Sequence, residues 1–164
     1  MKWIPINNHR EAVQEYHLVD ENESKVILKF NPQQHSARIY CADQQRLFFI
    51  ENGGALTGKY IFTNEYGIEI GSVNQDRKNI NEGYVTIESK KYRYEISNDP
   101  SAKLSIYEGN SNHSVLTCSL NVSDNKHFSG LSFAKKTDYN SFLLAVCWYL
   151  FSPVAKERAI EYAA

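Results

Sequence analysis

From Val26 onwards, apolar and polar residues alternate in short runs spaced by about ten residues. This is the period-two signature of strands with one dry and one wet face. The runs are Val26–Phe30, Ala37–Cys41, Arg46–Ile50, Gly58–Thr63, Ile68–Val73, Tyr84–Glu88, Lys91–Ile96, Leu104–Tyr107 and Val115–Leu120. In Lys91–Ile96 the alternation puts Tyr92, Tyr94 and Ile96 on one face and Lys91, Arg93 and Glu95 on the other. In Val115–Leu120 it turns Leu116, Cys118 and Leu120 inward. Turn chemistry falls between the runs. Asn52-Gly53-Gly54 offers positive-φ residues for a tight hairpin, and Asn64-Glu65-Tyr66-Gly67 reads as a turn that pairs its two neighbouring runs.

The period then changes. Ser123–Thr137 is polar and reads as a loop, with a short strand at Leu131–Phe133. Asp138, Asn140 and Ser141 are N-cap candidates, since each side chain can accept a hydrogen bond from a free backbone amide. Phe142-Leu-Leu-Ala-Val-Cys-Trp-Tyr-Leu-Phe151 follows, apolar on every face. A helix of that kind must be buried all round. It falls short of the roughly 20 residues that a bilayer span needs, so no transmembrane segment is expected. A basic polar face, the mark of an interfacial anchor, is missing from the run. The helix is expected over 139–162, with Pro153 ending or kinking it. Residues 1–13 read as an irregular arm, and 1–164 as a single domain.

Many short strands followed by one apolar helix predict a mainly β protein. The expected form is an antiparallel closed β-barrel of about 9–12 short strands enclosing a hydrophobic C-terminal α-helix. Closure removes the sheet edges, and the helix supplies the filling. On Arg46–Ile50, on Gly58–Phe62 with Tyr66–Gly71, and on the helix Phe142–Phe151, the chain resembles the tubby C-terminal-like superfamily. That superfamily includes the plant LURP-one-related proteins and the phospholipid scramblases. The resembling stretch runs from about Arg38 to Pro153. The resemblance implies a barrel of roughly twelve strands around a central helix. It also implies phosphoinositide binding through basic residues on the barrel surface. No position here matches those residues one by one, so none is carried over. The chain is shorter than a typical tubby domain, which implies shorter or fewer strands.

Composition changes this picture little. Eleven Tyr and eight Phe against one Met favour pleated, half-buried surfaces. A formal net charge of −1 gives no global case for nucleic acid, so an anionic partner would need a local patch. Cys41, Cys118 and Cys147 are far apart, without a C-x-x-C pair, and read as buried free thiols in a reducing, cytoplasmic setting. The N-terminus lacks the apolar core of a signal peptide.

Candidate chemistry is sparse. The chain has no G-x-S-x-G, P-loop, G-x-G-x-x-G or H-E-x-x-H motif. His9, His17, His35, His113 and His127 show no paired spacing and read as surface residues, so neither a metal nor another cofactor is expected. Cys147 is a poor nucleophile, because apolar surroundings disfavour the thiolate. The sequence therefore points away from catalysis. Lys90, Lys91 and Arg93, with Lys135 and Lys136 before the helix, form the candidate site for an anionic phospholipid headgroup. Arg77 and Lys78 add charge in a loop, while Asp76, Glu88 and Glu95 interrupt it. The expected function is an intracellular binding module for a phosphoinositide, another phospholipid headgroup or a protein partner. The alternative is a small-ligand barrel with an aromatic-lined cavity.

Overall fold

The structure, a computed structural model, describes residues 1–6, 12–20, 23–41, 44–53, 58–76, 79, 81–97, 103–120 and 141–161. Eleven strands close into one barrel: β1 (Lys2–Ile6), β2 (Gln14–Asp20), β3 (Glu23–Asn31), β4 (Ser36–Cys41), β5 (Gln44–Asn52), β6 (Lys59–Thr63), β7 (Glu69–Gln75), β8 (Glu82–Ile87), β9 (Lys90–Ile96), β10 (Lys103–Glu108) and β11 (Ser114–Leu120). A helix, α1 (Ser141–Glu161), follows. Every strand pairs antiparallel with the next along the chain.

The barrel is nevertheless not wholly antiparallel, which corrects the expectation from sequence. The reason is parity. In a meander with an odd number of strands the first and last run the same way, so the closing pair must be parallel. β1 and β11 do pair in parallel, through Lys2↔Ser119 and Trp3↔Leu120. This seam is the shortest ladder in the barrel.

All nine alternating runs are strands, and the short strand read at Leu131–Phe133 lies outside the described residues. β1 and β2 were not read as such, and β1 replaces part of the irregular arm expected over residues 1–13. Pro5 hid β1, because proline cannot donate to a ladder. It is tolerated here because pairing with β11 stops at Trp3, leaving that side of Pro5 without a ladder to support. β2 was hidden by His17, which breaks the alternation by being buried on the outer face.

The inward phases of the strands and the helix share one core. It contains Trp3, Leu18, Leu28, Ile39, Phe62, Val73, Val85, Tyr94, Leu104 and Ile106 together with Phe142, Leu144, Val146, Trp148, Leu150 and Phe151. Trp148 stacks on Tyr16 and Phe30 at centroid distances of 5.1 and 4.9 Å. Phe142 meets Phe48 and Phe62 at 5.5 and 5.3 Å, and Tyr149 meets Tyr60 and Phe62 at 5.2 and 5.6 Å. The helix thus touches rings from β2, β3, β5 and β6. Tilted and edge-to-face pairs of this kind add to the energy of burial. Pro153 does not end α1, which runs on to Glu161.

Two turns differ in how well their chemistry fits. Asn64 Oδ1 accepts from the amides of Tyr66 and Ile68, both at 3.0 Å, and Gly67 supplies a φ of 73°, so the expected turn forms. The Asn52-Gly53-Gly54 hairpin is not tight. β5 and β6 are joined through residues 53–58, and Gly58 rather than Gly53 takes the positive φ.

A tight turn lies between β8 and β9, where Ile87 pairs with Lys90 across Glu88 and Ser89. Both of these have positive φ, 47° and 69°, the pattern of a type I′ turn that favours Asn-Gly. Neither residue suits that conformation. Replacing them together (Glu88→Asn, Ser89→Gly) is expected to stabilise the fold by about 1 kcal/mol, raising Tm by about 3 °C. Differential scanning fluorimetry reads this directly, and an unchanged or lowered Tm would contradict the turn assignment.

Candidate functional site

The two-residue turn sets the register of the β8–β9 hairpin and so decides what surrounds the basic residues. It places Tyr84 opposite Arg93, and Arg93 is in turn opposite Tyr107 on β10. On the outer face these three form one row across three strands. The Arg93 guanidinium lies 4.3 Å from the centroid of the Tyr107 ring, and Lys91 Nζ lies 3.8 Å from that of Tyr84. A cation over an aromatic face is held by the ring quadrupole while part of it stays in water. Arg93 also pairs with Glu95, its neighbour two residues along the same face. Lys90 sits at the rim, strongly exposed, with Nζ 3.8 Å from Glu108.

Lys90, Lys91 and Arg93 are therefore together, as the sequence indicated, and each already has company. The pairs are solvent-exposed ion pairs and cation–π contacts, each worth roughly 1 kcal/mol or less. A phosphate with several acceptor oxygens can outcompete such partners. Sequence reasoning missed Tyr84 and Tyr107. The signal lay in the turn, since a two-residue loop at Glu88-Ser89 fixes Tyr84 across from Arg93. Lys135 and Lys136 lie outside the described residues, as do Arg77, Lys78, His9 and His127.

A second group, unexpected from sequence, lies on β2 and β3. His17, read as a surface residue, is buried, and its Nε2 is 2.7 Å from Glu15 Oε1. Lys29 Nζ is 3.2 Å from Glu15 Oε2. Burial raises the Glu15 pKa, but the hydrogen bonds and charges of His17 and Lys29 outweigh this and hold the carboxyl below its ordinary value. The outer face here is dry, because Ile4 and Ile27, the cross-strand neighbours of His17, are buried too. Alternation gives the facing of a strand, not whether the outer face is wet.

A third group joins β6 to α1. Tyr149 meets the Tyr60 ring edge to face at 5.2 Å, and burial first, then Tyr60, pushes its hydroxyl well above the ordinary tyrosine range. Tyr94 is shifted the same way, chiefly by burial. Both hydroxyls stay protonated. Among the described residues, no group of three His, Cys, Asp or Glu side chains is placed to hold a metal ion. None of their helices is long and apolar enough to cross a membrane.

Fold and surface together define a closed eleven-stranded β-barrel with a C-terminal helix and a basic–aromatic row on its outer wall. Comparison of the chain with protein-family models, with characterised proteins and with solved structures finds no match, and so none that identifies a tubby or LURP-one-related family.

Proposed function

We propose that this protein is a non-catalytic, tubby-like binding module whose helix Phe142–Phe151 fills the barrel and whose outer β8–β10 wall binds an anionic phospholipid headgroup. The observation that carries this reading is the row Lys91, Arg93, Tyr84 and Tyr107, with Lys90 at its rim. It combines positive charge with rings that suit a membrane–water boundary. The element order supports the same reading, since a run of meandering strands leads into an apolar helix that shares their core. The helix also speaks against the small-ligand alternative. Phe30, Phe48, Phe62, Tyr16 and Tyr60 are five of the core-facing aromatics that could line a cavity, and each meets a ring of α1.

Co-sedimentation tests the proposal, using phosphatidylcholine vesicles with and without phosphatidylinositol 4,5-bisphosphate. Binding is expected only with the phosphoinositide. Lys91→Ala with Arg93→Ala should weaken it roughly 30-fold, at roughly 1 kcal/mol per charge near the surface. Glu108→Gln, which frees Lys90, should strengthen it. Equal pelleting with both vesicle types, or binding indifferent to the double variant, would remove this wall as the headgroup site.

A further inference from the structure

Four large apolar side chains are exposed among the described residues, and they fall into two groups. Tyr66 and Ile68, 79% and 60% exposed, stand on the tip between β6 and β7. Tyr84 and Val115, 44% and 45% exposed, lie on the outer wall. Val115 extends the row of Tyr84, Arg93 and Tyr107 onto β11. There Ser114 and Leu116 pair with Tyr107 and Ile106, leaving Val115 as the extra residue between them.

The tip is ordered as well as apolar. Asn64 Oδ1 accepts from the amides of Tyr66 and Ile68, and the Gly67 amide donates to the Asn64 carbonyl at 3.0 Å. A tip already held in shape loses little freedom on contact. Its charges are Glu65 and Glu69, both exposed, and neither forms an ion pair with a described residue. Unused acids beside an apolar tip call for a partner that is both basic and apolar. The wall has that chemistry in Lys91, Arg93, Tyr84, Tyr107 and Val115, and Lys91 is held by a ring rather than a carboxylate. Tip and wall lie side by side at one end of the barrel. Gly71, three residues beyond Ile68, is level with Ile87 and, across it, with Lys90. Neighbouring strands are ~4.8 Å apart, so β9 lies about 10 Å from β7 around the wall. Two complementary patches set side by side are what a two-fold axis needs, since each can then meet its opposite on the other copy.

We propose that this protein forms a two-fold dimer in which the β6–β7 tip of each copy seats on the β8–β11 wall of the other. Tyr66 and Ile68 rest against Tyr84, Tyr107 and Val115, and Glu65 and Glu69 face Lys91 and Arg93. Apolar anchors ringed by charge are where the energy of such contacts concentrates. The patches are small, so the dimer is a weak one, with a dissociation constant of about 10–100 μM. It goes beyond the headgroup reading and needs only the geometry of the surface.

Sedimentation velocity on the full chain, from about 1 μM to about 1 mM, should show a monomer–dimer equilibrium. It should weaken roughly tenfold between about 50 and about 500 mM sodium chloride, because exposed charge pairs are screened. Glu65→Lys with Glu69→Lys leaves tip and wall both basic, and Lys91→Glu with Arg93→Glu leaves both acidic. Each variant alone should therefore be monomeric. Mixed in equal amounts they should dimerise again, since every tip then meets a wall of opposite sign. These side chains are at the surface, so both variants should melt close to the parent. If the wall variant unfolds early, Lys91→Glu alone takes its place. A parent chain still monomeric at about 1 mM, variants that dimerise as the parent does, or a mixture that stays monomeric would each overturn the dimer. Vesicle binding by a monomeric chain would leave the headgroup reading standing without this one, and a dimer that binds no vesicle would do the reverse.

Discussion

A chain cut after residue 140 is expected to lose the barrel along with the helix. Phe142, Leu144, Val146, Trp148, Leu150 and Phe151 are each at most 5% exposed. Burying a large apolar side chain contributes about 1.5–3 kcal/mol, so these six account for about 10 kcal/mol after allowing for residual burial in the unfolded chain. The net stability of a typical domain is about 5–15 kcal/mol, leaving little or nothing to hold the strands. The cut would also strip Tyr16, Phe30, Phe48 and Phe62 of their ring partners. The expected signs are a flat near-UV circular dichroism spectrum, dye binding to exposed apolar surface and no cooperative melt. A soluble truncated chain with a cooperative melt and a dispersed amide spectrum would mean that the strands form a core without α1. It would also reopen the interior to a small ligand.

How far the fold could be read depended on which signals were local. Alternation and turn residues are local, and nine strands and the apolar helix followed from them. β1 and β2 did not, because Pro5 and the buried His17 obey tertiary circumstances: a ladder that stops at Trp3, and an outer face that is dry. Parallel closure was also out of reach, since it depends on whether the strand count is odd or even. The site divides the same way. Charge clustering at Lys90, Lys91 and Arg93 was visible. Their engagement by Tyr84, Tyr107 and Glu108 follows from cross-strand register, and for Tyr84 that register hangs on two turn residues.

Gly71→Ala tests the seat of the helix against the wall with a single methyl group. Gly71 lies on β7 opposite Ile87 and is buried. A β-carbon there would stand 2.5 Å from Cε1 and 2.7 Å from Cζ of Phe142, and 2.5 Å from the carbonyl oxygen of Thr86. The ring can yield only by disturbing its packing on Phe48 and Phe62, and the carbonyl belongs to the neighbouring strand β8. Overpacking of this severity should cost about 3 kcal/mol and lower Tm by about 10 °C. Phe142→Leu alone loses the two ring contacts and should cost about 1–2 kcal/mol. In the double variant the shorter side chain makes room for the new methyl, so the pair should be less destabilised than the sum of the singles by about 1 kcal/mol or more. The rescue is partial because the Thr86 carbonyl stays in place. Urea melts of the four proteins give the coupling free energy directly. Strict additivity would mean that Phe142 does not rest on β7, so that the helix sits differently in the barrel from the arrangement described.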